Sequence, residues 1–333
     1  MDLHAFFDIH APRLDTPQAL GDCLRHMVQA GLDQLPMPGS GQTLERWQRL
    51  GLVAAHDLGL CKLYEGHTDA LATLHELGAA RPAPGSTWGL WAAEPPDARV
   101  DVHMTDGQAI LTGRKAWCSG AAVVSHGLLT ARDEQGAVQL VAVDMHQPQI
   151  SVASHGWEAV GMRATASVEV TFEQAPATCI GRPGDYLQRP GFWHGAIGIA
   201  ACWHGAASRL ASYLQHHCSQ REEPHALAHL GAVNAALYSA TCVLRDCAQQ
   251  VDASPGGDAQ QLARQARAHI EACAEQVIQH VGRALGAGPY CKNPHFAQLS
   301  ADLPVYLRQS HAERDLQVLG KLAALQPDTR WPL

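Results

Sequence analysis

Side chains whose types and spacing suit chemistry fall in a few places along this sequence. Trp117-Cys118-Ser119 sets an aromatic face, a thiol and a hydroxyl in a row, and a hydroxyl can both donate and accept a hydrogen bond. His225 and His229 lie four apart in a helix-prone run, which puts two imidazoles on one face as prospective metal ligands. A metal site needs a third ligand at matching geometry, and the sequence names none. Solvated or capping histidines are the plainer account of the twenty in the chain. Towards the C-terminus, Arg308-Gln-Ser-His311 precedes Glu313-Arg314-Asp315. A histidine titrating near neutrality and two carboxylates are suited to general acid–base work, although the same alternation of charge also describes a solvated helical face. Covalent hydrolysis is disfavoured, because Cys118 has no base near it in sequence and no Gly-x-Ser-x-Gly elbow occurs. Pro38-Gly-Ser-Gly-Gln-Thr43 lacks the lysine and the strand of a P-loop and reads as a capped loop.

These residues need elements to hold them. Gln108, Ile110 and Thr112 alternate with Ala109 and Leu111, Gly113 supplies a turn, and Lys115 to Ser119 resumes a strand, which predicts a hairpin. More strands are expected at Gly127 to Ala131, Val138 to Val143, Ile150 to Val152 and Ser167 to Phe172, so the middle of the chain is a β unit of roughly a hundred residues, a small barrel or sandwich. Before it, Thr16-Pro17 caps a helix that carries Leu20, Cys23, Leu24 and Met27 at helical spacing; a second helix starts near Thr43 and a third spans Asp69 to Leu77. After it come long Ala- and Leu-rich helices near Phe192 to His217, Pro224 to Val251 and Asp258 to Leu285, and a shorter one over Leu303 to Leu325. The expected class is α+β, with a helical domain over 1–85, a β domain over 86–182 and a four-helix-bundle-like domain over 183–333.

Composition narrows the partners. A chain of 333 residues with 46% hydrophobic content can bury a large core. A net charge of −8 with no Lys/Arg run argues against nucleic acid. The N-terminal Met-Asp-Leu-His has no basic and apolar leader, and no stretch of about eighteen apolar residues is evident, so no membrane role is expected. The ten cysteines are scattered without Cys-x-x-Cys spacing, as expected of reduced thiols in a cytoplasm.

The helix, β, helix order, with Leu111-Thr-Gly-Arg-Lys-Ala-Trp-Cys-Ser119 and Gly161-Met-Arg-Ala-Thr-Ala-Ser-Val-Glu-Val-Thr-Phe172, resembles the acyl-CoA dehydrogenase family of FAD enzymes. Trp91-Ala-Ala-Glu-Pro95 is similar to the family's Thr-Glu-Pro strand, and Arg283-Ala-Leu-Gly286-Ala-Gly288 to the glycine turn of its last domain. The resemblance implies FAD, with Trp117 and Ser119 beside the isoalloxazine and the Ser119 hydroxyl placed to donate towards N5. It puts Ala93 where the family has a threonine that bonds the flavin pyrimidine, leaving the backbone of Trp91 to Ala93 to serve. Arg283 and Gly286 complete the cofactor set. It also implies a small-molecule substrate, an acyl thioester in the family, and a homodimer or homotetramer built through the C-terminal helices.

Departures from the family bear on activity. There a glutamate removes the substrate α-proton while hydride passes to the flavin. Here that position falls on Gln317 or Leu319, depending on whether Arg308 or Gly320 anchors the match, or near Gly195 and Ala196 in the family's alternative arrangement, and none is a base. Glu313 or Asp315 would reach the site after a shift of one helical turn. The loop after Glu94-Pro95 lacks the family's Gly-Ala-Gly-Ser, and no Arg-x-x-Phe-Gly, which holds the neighbouring subunit's FAD, occurs around His216 to Glu223. Flavin monooxygenases of the same fold are similar in using Arg-x-x-His, matched by Arg308 and His311, where the histidine serves a flavin–oxygen adduct or deprotonates a phenol. Three readings follow: an FAD oxidoreductase on an acyl substrate, a flavin monooxygenase or oxidase, and a non-catalytic member that has lost its cofactor.

Overall fold

The N-terminal helices begin where local capping rules put them. A computed structural model describes residues 2–9 and 14–325. In it α1 spans Leu3–Ile9, α2 Pro17–Gln29, α3 Thr43–His56 and α4 Leu58–Glu76. Thr16 caps α2 by accepting from the Ala19 N–H at 3.2 Å, with Pro17 in the first turn. α4 starts at Leu58 rather than Asp69. Gly59 and Gly66, poor helix formers, weaken the pattern of its first half.

Seven strands follow: β1 (Trp88–Trp91), β2 (Val100–Thr105), β3 (Gln108–Cys118), β4 (His126–Arg132), β5 (Val138–Asp144), β6 (Ile150–Val152) and β7 (Val168–Ile180). They form one sheet in the order β1-β4-β2-β3-β7-β5, and β4 also pairs with β5, which closes a barrel; β6 lies on β7. The hairpin expected around Gly113 is displaced. The turn is Asp106-Gly107, both at positive φ, and Gly113 sits inside β3 opposite Val100. Glycine is required there because a Cβ would lie 2.2 Å from the Arg99 carbonyl oxygen. α4 packs its Ala70 and Leu74 against Trp88, Leu128, Leu140 and Ile180 of the barrel.

Beyond the barrel run α5 (Asp185–Gln188), α6 (Pro190–Gln220), α7 (Pro224–Ala253), α8 (Gln260–Leu285), α9 (Ala287–Lys292), α10 (Pro294–Leu307) and α11 (Glu313–Leu325). The last expected helix is therefore two. The chain breaks between Arg308 and Ala312, whose φ is +43, so Arg308 caps α10 and His311 lies in a link instead of on one helical face.

The chain divides into two compact units, 1–35 with 59–192 and 36–58 with 193–333. The first holds the barrel. Within the second, α3 and α6 cross backbone to backbone: a Cβ on Gly205 would lie 2.2 Å from the Gly51 carbonyl oxygen. The loop before α3 is indeed capped, by a carboxylate: Asp252 of α7 accepts from the N–H groups of Gly41 and Thr43 at 3.0 and 3.1 Å, occupying the place a phosphate would take. α7 also corrects the expectation that no membrane-length apolar stretch exists, being long and apolar enough by composition alone, with 17% of its most apolar window buried. Its apolar content comes largely from eight alanines, with four separated leucines, three valines and two cysteines.

Candidate functional site

In the first unit, the end of β3 is distorted where the chemistry-bearing residues sit. The register of β3 on β7 shifts between Lys115 and Cys118, and Trp117 takes a left-handed φ of +57, a strained conformation for a bulky side chain. The bulge turns Trp117 outwards, 58% exposed, while Lys115, Ala116 and Cys118 are buried. Trp117 is thus no core aromatic. Facing the bulge, the motif from Gly161 forms a tight turn whose flanking residues Met162 and Ala166 are also left-handed, and the Gly120 N–H donates to the Thr165 carbonyl at 2.8 Å. That junction brings three hydroxyls together: Ser119 Oγ lies 2.6 Å from Ser167 Oγ, and Ser167 Oγ lies 2.8 Å from Thr165 Oγ1.

Two residues before Trp117 lies a buried charge the sequence did not advertise. Lys115 is 2% exposed and donates to the Thr130 carbonyl and hydroxyl, both at 2.7 Å, with Glu94 at 4.0 Å. Burial lowers its pKa to about 8 against the pull of Glu94. Burial works to raise the Glu94 carboxyl, yet hydrogen bonds from Thr130 and Arg132 and the Lys115 charge leave it below its usual value. The Cys118 thiol is pushed up by burial and sits on the core side of its strand.

Trp91 and Ser119 are also brought together, the indole Nε1–H donating to the Ser119 carbonyl at 3.1 Å. The Trp91 ring, however, fills the space that Gly89 and Gly127 leave open, where a Cβ on either would come within 2.4 Å of it. It is core, so only its backbone and that of half-buried Ala93 are available to a ligand. β1 is an edge strand paired to β4, and its Trp88 N–H donates to His67 Nδ1 at 3.2 Å. The enclosed space between Lys62, Gly66, Trp91 and Ser119 is about 10 Å³, room for a single water. A flavin ring does not fit inside it. The residues suit a ring laid on the outside, with the Trp117 indole as an apolar wall and the Ser119 hydroxyl, in a side chain 9% exposed, as a polar contact.

The second unit holds the other candidates, and guanidinium groups dominate there. Arg264 of α8 pairs with Asp315, which also accepts from the His311 N–H at 3.2 Å. Arg267 donates to the carbonyls of Ala196 and Gln309 at 2.9 and 3.1 Å and lies over the Trp203 ring at 4.6 Å. Arg308 and His311 are held by different acids, Arg308 by Glu271 and Glu275 at 2.8 and 2.7 Å, and His311 by Asp315 at 3.8 Å. The His311 side chain is 68% exposed. Glu313 is exposed in the first turn of α11. Arg283 lies in the last turn of α8, and Gly286, at φ +62, stops it. His229 pairs with His280 of α8, their Nδ1 atoms 2.8 Å apart, and among the described residues no three His, Cys, Asp or Glu side chains gather for a metal.

A family model described as acyl-CoA dehydrogenase, middle domain, matches residues 95–175. Butyryl-CoA dehydrogenase from Megasphaera elsdenii superposes with a TM-score of 0.79 at 13% identity, over 96% of this chain and 97% of that one. The fold is that of the acyl-CoA dehydrogenases. Within that fold, methanesulfinate monooxygenase MsuC from Pseudomonas fluorescens superposes equally completely, at TM-score 0.76 and 19% identity over 97% of this chain and 99% of that one. By sequence, the probable FMNH2-dependent monooxygenase SfnC of Pseudomonas putida is 25% identical over 281 residues, 72% of this chain and 68% of that protein. The positions where the acyl-CoA dehydrogenase resemblance places its base carry exposed Gln317, half-buried Leu319 and Ala196, the last with its carbonyl held by Arg267.

Four contributors escaped the sequence reading. Lys115, Thr165 and Ser167 stood inside motifs already singled out, but Thr130, which Lys115 meets, and Ser119, which Ser167 meets, lie 15 and 48 residues away. Arg267 carried no local signal at all.

Proposed function

We propose that this protein is a monooxygenase of the acyl-CoA dehydrogenase fold that works with reduced FMN, in place of the FAD expected from the wider family. One observation carries the reading: where a thioester dehydrogenase needs a carboxylate, this chain has a neutral residue and a guanidinium. Gln317, Leu319 and Ala196 cannot accept a proton, Arg267 occupies the Ala196 carbonyl, and Asp315, the acid nearest in sequence, is paired with Arg264. The likeness to a protein named as FMNH2-dependent supports it, and the missing Arg-x-x-Phe-Gly suits a flavin without an adenine half.

Bound reduced flavin would supply the two electrons that split dioxygen, one oxygen atom passing to the substrate and the other to water. This chain's part is to wall the ring with Trp117 and to meet its N5 edge with Ser119. The substrate is a small molecule. A second copy of the chain covers the exposed face of α7, beside which α6 and α7 leave an open cleft of about 440 Å³, so the working form is a homo-oligomer.

The test is an anaerobic absorbance titration with FMN, reduced FMN and FAD, followed by a panel of acyl-CoA thioesters. Tight binding of reduced FMN and no bleaching of oxidised flavin by any thioester is the expected result. Bleaching would overturn the proposal in favour of a dehydrogenase with a relocated base, for which Glu313 is the first position to mutate.

A further inference from the structure

The three hydroxyls at the end of β3 form a chain with a direction. Each carries one proton. Thr165 Oγ1 lies 2.8 Å from the Met162 carbonyl oxygen, an atom that only accepts, so the Thr165 proton sits in that contact. With its proton placed, Thr165 Oγ1 can only accept across the 2.8 Å to Ser167 Oγ, and Ser167 therefore donates. The Ser167 proton is then placed as well, and across the 2.6 Å to Ser119 Oγ it is Ser119 that donates. Reversing any link leaves two oxygens 2.6–2.8 Å apart with no proton between them. Two further N–H groups fix the far end, since the Met162 carbonyl also accepts from Trp157 Nε1 at 3.0 Å and from the Thr165 backbone at 3.1 Å.

We infer that Thr165 and Ser167 are positioning residues that turn Ser119 into an acceptor, so that the site selects a ligand edge bearing N–H over one bearing a bare nitrogen. This rests on the flavin reading above and sharpens it: N5 carries a proton in reduced flavin and only a lone pair in oxidised flavin. The resemblance to dehydrogenases placed the Ser119 hydroxyl as a donor to N5; the chain of contacts reverses that direction. Reduced flavin is then held by one more hydrogen bond, and oxidised flavin meets two opposed lone pairs, a difference on the order of tenfold or more in affinity.

The experiment measures dissociation constants for oxidised and reduced FMN on the full-length protein under anaerobic conditions, with the midpoint potential of bound FMN as an independent readout of the same ratio. Wild-type protein is expected to hold reduced FMN at least about tenfold more tightly than oxidised FMN. Ser167→Ala releases the Ser119 proton, and Thr165→Val lets Ser167 donate back to Ser119, so each should cut the ratio about tenfold, equivalent to about 30 mV for a two-electron couple. Ser167→Thr keeps the hydroxyl and should keep the ratio. A merely structural role would weaken both redox forms alike and leave the ratio unmoved. An unmoved ratio in a variant with wild-type circular dichroism overturns this inference alone, whereas wild-type protein that binds neither form overturns the flavin reading and this inference together.

Discussion

The barrel end around Trp117 and the helical cluster around Arg267 are the two regions to which the acyl-CoA dehydrogenase resemblance assigns cofactor and base, and they differ. At the barrel, the aromatic and hydroxyl positions survive on a backbone held in costly conformations at Trp117, Met162 and Ala166. At the helices, no carboxylate stands at the positions the resemblance matches to a base, and arginines knit the break between α10 and α11 to α6 and α8. In the proposed function the barrel surface meets the cofactor and constrains the backbone itself, whereas a proton-transfer residue is one side chain and can be exchanged without disturbing the fold. That contrast is why the fold alone, equally like a dehydrogenase and a monooxygenase, does not decide the activity.

The largest effect that would sharpen the contrast is at Lys115. Its pKa of about 8 lies below the ordinary 10.5, so the unfolded chain binds the proton more tightly and this group adds stability as pH rises from 8 to 10.5, about 3 kcal/mol in total. In Lys115→Met the difference in unfolding free energy from wild type should change by that amount across the window in denaturant titrations; a difference independent of pH would show that the barrel does not hold a strained charge. Next, Trp117→Ala should weaken oxidised and reduced flavin alike, by about tenfold to a hundredfold from lost stacking, in a fluorescence titration. Unchanged affinity would break the assignment of the barrel end to the cofactor. Asp315→Asn should cost about 1–3 kcal/mol by leaving Arg264 unpaired, seen as faster amide exchange in α11 with flavin affinity intact. The smallest change belongs to Arg308→Ala, under about 1 kcal/mol because its ion pairs are exposed, with turnover unaffected; lost turnover would make the helical cluster catalytic after all.

What could be read in advance was whatever is decided locally. Thr16-Pro17 announces α2 through capping chemistry, and Ile150 to Val152 appears as β6 because turns bound it on both sides. Distant partners hid the rest. Gly113 looks like a turn until the Arg99 carbonyl is seen against it. The break after Leu307 depends on Arg267 reaching Gln309 and Asp315 capping His311. Trp117 and Ser119 can be singled out as a pair because only Cys118 separates them in sequence, while Ser167, whose hydroxyl meets that of Ser119, lies 48 residues on.

The crossing of Gly51 and Gly205 has a kinetic meaning. With the two backbones in direct contact and no side chain between them, α3 and α6 part only when that crossing opens, so the amides there are expected to exchange with solvent slowly. Deuterium uptake at those two glycines therefore reads the opening of that crossing, in the intact protein and without any mutation.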